Sequence, residues 1–262
     1  MKGNWENIKV SLMKLCDLLP EIGYIYHPNL SDNALIPIAY YIFKGGNLNT
    51  IKAKKSLQQY YVVSQVKGIF GGQSDQVLEK FRTEIDRQLE RDKFLNIKEL
   101  VALKLPGGKS MTMALEDLNQ LVDDTAWGSP HAYFLLSLIY PTVDFKIKRY
   151  EIDHVHPKSK FNVRNLTNNG IADQETIDDW MDWKKDCLPN LQLLADKDNA
   201  AKKAKTLIEY LNAKKPQERH LFSKENLLPP KGDKLLELAS FDQFFEYRKR
   251  KLVNKLKPSF GL

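Results

Sequence analysis

Asp153 and His154 stand side by side in the segment EIDHVHPKSKF, and this pair of residue types could hydrolyse a phosphodiester. Hydrolysis requires a deprotonated water, neutralisation of charge on the phosphoryl group and stabilisation of the departing oxygen. A neutral histidine can remove the proton near pH 7. A hard divalent ion held by oxygen ligands can supply the other two requirements. The segment could therefore support metal-assisted hydrolysis of a phosphodiester, and the alternative for an Asp-His pair by itself is a surface turn.

A second polar segment, DKDNAAKK, lies well downstream and contains Asn199. We expect Asn199 near the N-terminus of a helix, where it presents an amide oxygen. Helix capping is the alternative role for Asn199, although Asp196 or Asp198 could cap the helix instead. A strand, a loop, a second strand and this helix could bring the two segments together.

The segments DHVHPKSKF, PNLQLL and DKDNAAKK, in this order, resemble the motif of HNH endonucleases, which have the ββα-metal fold. The resemblance implies that His154 is the general base. It implies that Asp153 and Asn199 belong to the catalytic site as ligands of Mg²⁺ or Mn²⁺. It also implies that Asn190 fixes the loop that orients the base. The sequence departs from minimal HNH proteins in its longer stretch between Ser159 and Asn190.

Three other residues within these segments are candidates for the same site. His156 could be a second ligand or a phosphate contact, but we favour support of the loop by hydrogen bonding. Lys202 and Lys203 could contact the scissile phosphate or form a solvated helix face, and we expect only one of them to contribute.

A broader resemblance covers most of the chain. The segments LSDNALIPIAYYIF, KSLQQYYVVSQVKGIFGGQSDQVLEKFRTEI and DHVHPKS are similar to the C-terminal half of GmrSD-like modification-dependent restriction proteins. In that family a ParB-like NTPase or sensor domain precedes the nuclease region, and no such domain is recognisable here. The resemblance implies that DNA is the substrate, that a ParB-like domain or subunit is a further partner, and that the setting is prokaryotic defence against foreign or modified DNA.

The spacing of apolar residues predicts a mainly α protein with a small α+β part. We expect a helical domain over 1–142, followed by an HNH nuclease domain over 143–262 with helical additions and a C-terminal helix. Helices are predicted over 5–19, 32–43, 50–67, 74–91, 112–123, 131–140, 173–187, 197–213 and 240–256, with an Asn-rich loop over 162–170. On the last helix, Arg248, Lys249 and Arg250 are expected close to solvent.

Composition limits the class of protein. The 262 residues are 42% hydrophobic and 28% charged, which is typical of a globular chain, and the net charge of +7 favours polyanionic partners without proving one. No apolar run has the length of a membrane span, and the first residues lack a signal-peptide core, so we expect a cytoplasmic protein without membrane contact. Cys16 and Cys187 are expected to be reduced, and their separation disfavours a structural zinc site.

Two other classes of function stay open at this point. One is a non-catalytic DNA-binding or regulatory module with a decayed nuclease site. The other is a protein–protein adaptor that binds through its helical N-terminal part. The intact Asp-His pair and Asn199 favour the enzyme.

Overall fold

The computed structural model describes residues 4–25, 30–140, 150–230, 232 and 234–262. These residues are mostly helical and contain a two-stranded antiparallel sheet, which confirms a mainly α protein with a small α+β part. The chain divides into two compact units, Met1–Ala114 with Lys257–Leu262, and Leu115–Leu256. The predicted boundary near 142 lies within 141–149, outside the described residues.

The first unit is built from amphipathic helices. Helix α4 shows why they form, because Val77, Phe81 and Ile85 recur every four residues and are all buried. Thr50 begins α3 by accepting a hydrogen bond from the backbone N–H of Ala53. The helices of this unit are α1 (Trp5–Leu18), α2 (Leu35–Phe43), α3 (Ile51–Val66), α4 (Ser74–Arg91) and α5 (Ile97–Val101).

The second unit contains the sheet and the helices around it. Its core includes Val155, Trp180, Phe241 and Phe244, which are almost entirely buried. In chain order the elements are α6 (Leu115–Asp124), α7 (Pro130–Ile139), β1 (Tyr150–His154), α8 (Val163–Asn168), α9 (Gln174–Asp182), β2 (Leu191–Ala195), α10 (Asp196–Lys202), α11 (Leu207–Asn212), α12 (Pro216–Glu225) and α13 (Phe241–Phe260), the last residues of which belong to the first unit.

The sheet register determines where helix α10 begins. Strands β1 and β2 pair from Tyr150 opposite Ala195 to His154 opposite Leu191. Because α10 follows β2 without a loop, its first residue lies next to the Tyr150 end of β1. The result is a strand–strand–helix unit in which residues of α10 contact side chains of β1.

Two of the predicted elements were wrong. The loop predicted over 162–170 contains α8, because the Asn162 side chain accepts a hydrogen bond from the backbone N–H of Asn165 and begins a helix. The helix predicted over 197–213 is two helices. Lys203 ends α10 with a positive φ of 48°, and Thr206 with Glu209 forms a capping box that starts α11.

The expectation that Arg248 lies close to solvent was also wrong. Its guanidinium is fully buried and donates to three backbone carbonyls, of Asn226 (Nε, 3.1 Å), Pro189 (Nη1, 2.5 Å) and Leu191 (Nη1, 3.0 Å). Burial lowers the pKa of Arg248 to about 10, so the group stays charged at neutral pH. Arg248 therefore ties α13 to the segment that leads into β2.

Candidate functional site

Helix α10 lies along β1 and brings two polar contacts to it. The Asn199 side chain donates from Nδ2 to Oε2 of Glu151 at 2.8 Å. One turn later, the Lys202 ammonium donates to Oδ2 of Asp153 at 2.6 Å and to the carbonyl oxygen of His154. Glu151 and Asp153 are two residues apart on a strand, so they share one face of β1. Thus the structure brings Asn199 to Glu151, and Lys202 to the predicted ligand Asp153.

The Asp153 carboxylate accepts hydrogen bonds from two side chains. Gln192, its register partner on β2, donates at 2.8 Å to the same Oδ2 atom that Lys202 contacts. Both hydrogen bonds use Oδ2 of Asp153. Gln192 was not predicted as a site residue. Its neighbours in the sequence are apolar residues of a strand, so the local pattern gives no indication of a polar site.

The two lysines predicted to contact phosphate lie in different environments. Lys202 is fully buried, and burial lowers its pKa while the Asp153 carboxylate acts in the opposite direction. Lys203, the next residue, is exposed. Of the two, Lys203 is the one that an incoming phosphate could reach.

His154 contacts a carboxylate that the sequence did not predict. Its Nε2 lies 2.7 Å from Oδ1 of Asp186, and its side chain is only 12% exposed. Burial lowers the pKa of His154 below its ordinary value, although the neighbouring Asp186 acts in the opposite direction. A lowered pKa favours the neutral imidazole, which is the protonation state that a general base requires. The half-exposed Trp127 flanks the same imidazole, with ring centroids 6.4 Å apart.

Asn190 binds the loop that follows β1. Its side-chain oxygen accepts from the backbone N–H of His156 at 2.9 Å. Its side-chain nitrogen donates to the carbonyl oxygens of His156 at 3.1 Å and of Lys185 at 2.7 Å. Asn190 is fully buried, so its two hydrogen bonds with the His156 backbone satisfy buried polar groups.

Comparison with known proteins identifies no family for this chain. No protein-family model matches the chain, and no curated protein matches it. Among the described residues, no helix combines the length and the apolar character that crossing a membrane requires.

The His156 side chain lies in the core, where its backbone and not its ring makes the loop hydrogen bonds. The ring meets Phe244 edge-on with centroids 4.5 Å apart, and its Nε2 has no hydrogen-bond partner in the described part of the chain. Burial, together with the positive charges of Lys202 and Arg248, lowers the pKa of His156 to about 3. The ring is thus packed in the core and not exposed at the surface.

The oxygen donors around β1 suit a hard cation. Within the described ranges, no three His, Cys, Asp or Glu side chains converge in a metal-binding group. The expected ligands are of another kind, namely the Asp153 carboxylate and the Asn199 amide oxygen, with the Glu151 carboxylate beside them. Carboxylate and amide oxygens are ligands that Mg²⁺ and Mn²⁺ accept, so the residues present fit such an ion by their chemistry.

Proposed function

We propose that this protein is a divalent-metal-dependent HNH endonuclease that hydrolyses phosphodiesters of DNA. One observation carries the proposal: the His154 imidazole, the Asp153 carboxylate and the Asn199 amide all lie on one strand–strand–helix unit. These are the base and the oxygen donors that the reaction needs, in the chain order of the HNH motif.

Each residue has a distinct role in this proposal. His154 takes a proton from the attacking water, because burial lowers the pKa of His154 and so favours its neutral imidazole. Asp153 and Asn199 hold the metal, with Glu151 close enough to Asn199 to orient its amide. When bound, Mg²⁺ or Mn²⁺ would neutralise charge on the phosphoryl group and stabilise the departing oxygen. The products would be 5′-phosphate and 3′-hydroxyl ends, as the HNH resemblance implies.

The substrate and setting are part of the same proposal. The net charge of +7 and the exposed Lys203 favour a polyanion such as DNA. Restriction of foreign or modified DNA in prokaryotic defence is the setting, and a ParB-like NTPase or sensor domain would be a partner outside this chain. Both follow from the resemblance to GmrSD-like proteins.

A non-catalytic DNA-binding module is the second candidate, and Lys202 favours it. The buried Lys202 ammonium donates to Oδ2 of Asp153, so the carboxylate already has an ammonium partner within the protein. A divalent ion would then have to share the Asp153 carboxylate with Lys202 or displace the Lys202 ammonium from it. If no divalent ion binds in either way, the site would bind DNA without cutting it.

A plasmid-nicking assay separates the two candidates. Supercoiled DNA, in matched modified and unmodified forms, is incubated with the purified chain and Mg²⁺, Mn²⁺ or EDTA. We expect nicking with either metal and none with EDTA. Binding of both plasmids without nicking in any metal would exclude the nuclease and favour the binding module. A preference for one plasmid would show whether modification is recognised.

Asn199→Ala is expected to raise the concentration of Mn²⁺ needed for half-maximal nicking. The shift should be roughly tenfold or more, because loss of even an outer-sphere partner of a metal costs about that much affinity. Direct Mn²⁺ binding, followed by electron paramagnetic resonance, should weaken in parallel. Asn168→Ala is the matched control, because Asn168 is exposed at the end of α8. Identical metal titrations for the two variants would remove Asn199 from the ligand set.

A further inference from the structure

We infer that Asp186 is a positioning residue for the proposed reaction: it accepts a hydrogen bond from Nε2 of His154 and so leaves Nδ1 as the nitrogen that takes the proton from water. The two groups lie 2.7 Å apart, measured from Nε2 to Oδ1 of Asp186. The inference rests on the proposed nuclease function, and it adds a residue that the HNH resemblance did not imply.

The Asp186 carboxylate is held in place by contacts on its other side. Its second oxygen, Oδ2, lies 3.3 Å from the ammonium of Lys158 and 3.5 Å from that of Lys185. Its backbone is fixed as well, because its carbonyl oxygen accepts from the N–H of Trp127 at 2.7 Å and its own N–H donates to the carbonyl of Trp183 at 3.0 Å. The carboxylate therefore presents Oδ1 to His154 from a fixed backbone.

The charge state of Asp186 determines which nitrogen of His154 carries the hydrogen. Burial alone would raise the pKa of Asp186, but the contacts with His154 and Lys158 hold that pKa below its ordinary value. The carboxylate is thus ionised at neutral pH and can only accept a hydrogen bond. Nε2 must then be the protonated nitrogen, and Nδ1 keeps the lone pair. An orienting partner of this kind fixes both the tautomer and the direction of the ring.

The proton transfer can be written in full. The water oxygen forms a bond to phosphorus, and the proton that it loses moves to Nδ1 of His154. The bond from phosphorus to the 3′ oxygen breaks, and that oxygen takes a proton from solvent. Asp186 stays ionised throughout and stabilises the positive imidazolium while it exists. His154 finally returns the proton to solvent.

Histidine-labelled protein makes the tautomer measurable by ¹⁵N NMR, without any dependence on cleavage. Spectra are recorded at about pH 8, above the ordinary histidine range, and His154 is assigned with the His154→Ala variant. In the parent protein we expect the form with hydrogen on Nε2. In Asp186→Asn the amide can donate to the ring, so the form with hydrogen on Nδ1 should gain population. Asp186→Glu keeps an acceptor and should retain the parent form.

Cleavage by the same variants gives the second readout. Asp186→Asn should lower kcat by about a hundredfold or more, the lower limit for loss of general base catalysis, while KM for DNA changes little. Asp186→Glu should recover part of kcat. Asp182→Asn is the matched control, because Asp182 is an exposed residue at the end of α9.

Two outcomes would overturn the inference: a parent His154 that carries its hydrogen on Nδ1, or an Asp186→Asn variant with unchanged tautomer and kcat. Backbone amide spectra establish that each variant is folded. A parent protein that nicks no DNA would instead refute the nuclease proposal, and with it the catalytic role of Asp186. In that case the tautomer readout still tells whether Asp186 sets the state of the ring, so the two failures are distinguishable.

Discussion

His154→Ala is expected to abolish metal-dependent nicking of plasmid DNA. Removing the imidazole removes the proposed general base, and general base catalysis contributes about 10²–10⁴-fold to a rate. The residual rate would lie at or below the detection limit of a nicking assay. The fold should survive, because the ring is at the edge of the core with part of its surface exposed. Initial rates of nicking, measured with Mg²⁺ in excess, provide the test.

The control for this variant is His220→Ala. His220 is exposed on α12, so its loss removes the same side chain without touching the strand–strand–helix unit. Binding to a fluorescent duplex, measured by anisotropy, should be nearly equal for both variants and the parent, and should weaken as salt rises. A His154→Ala protein that nicks as fast as the His220→Ala control would show that His154 is not the base.

Arg248→Ala is expected to produce the largest loss of stability of any substitution considered. Three buried backbone carbonyls, of Pro189, Leu191 and Asn226, would lose their donor. Each buried group left without a partner costs about 1–3 kcal/mol, and the cavity adds to this. We therefore expect the free energy of unfolding to fall by about 3 kcal/mol or more. Urea denaturation followed by circular dichroism measures this change.

Arg250→Ala is the comparison for this experiment, because Arg250 lies on the same helix and is exposed. Its substitution should change the free energy of unfolding by less than about 0.5 kcal/mol, as is usual for surface positions. Equal urea midpoints for the two variants would contradict the structural role of Arg248. Because Pro189 and Leu191 flank Asn190, nicking by the Arg248→Ala protein should also be lost at a lower temperature than nicking by the control.

Several elements could be predicted from the sequence because their signals are local. The four-residue spacing of Val77, Phe81 and Ile85 predicts helix α4 whatever it packs against. The break between α3 and α4 was predicted from Gly68, Gly71 and Gly72, because glycine adopts backbone conformations that other residues avoid. Helix α8 was missed because an Asn-rich segment is typical of loops, although the same Asn162 side chain can also cap a helix.

The environments of the charged side chains could not be predicted in the same way. Lys202 and Lys203 are neighbours of one residue type, yet one is buried against Asp153 and the other is exposed. Arg248 and Arg250 differ in the same manner. A lysine or arginine carries no local signal of burial, because its partner is a carboxylate or a carbonyl on another element.

The order of Asp153, His154 and Asn199 along the chain, and the chemistry that these residue types permit, were determined by the sequence alone. Only the tertiary structure decided that Asp186 holds His154, that Gln192 and Lys202 hold Asp153, and that Asn199 contacts Glu151. The physical reason is the pairing of β1 with β2 and the immediate start of α10. The strand pairing and the helix start bring together side chains that are far apart in sequence. Such contacts depend on the strand register and the helix direction, which no local sequence pattern specifies.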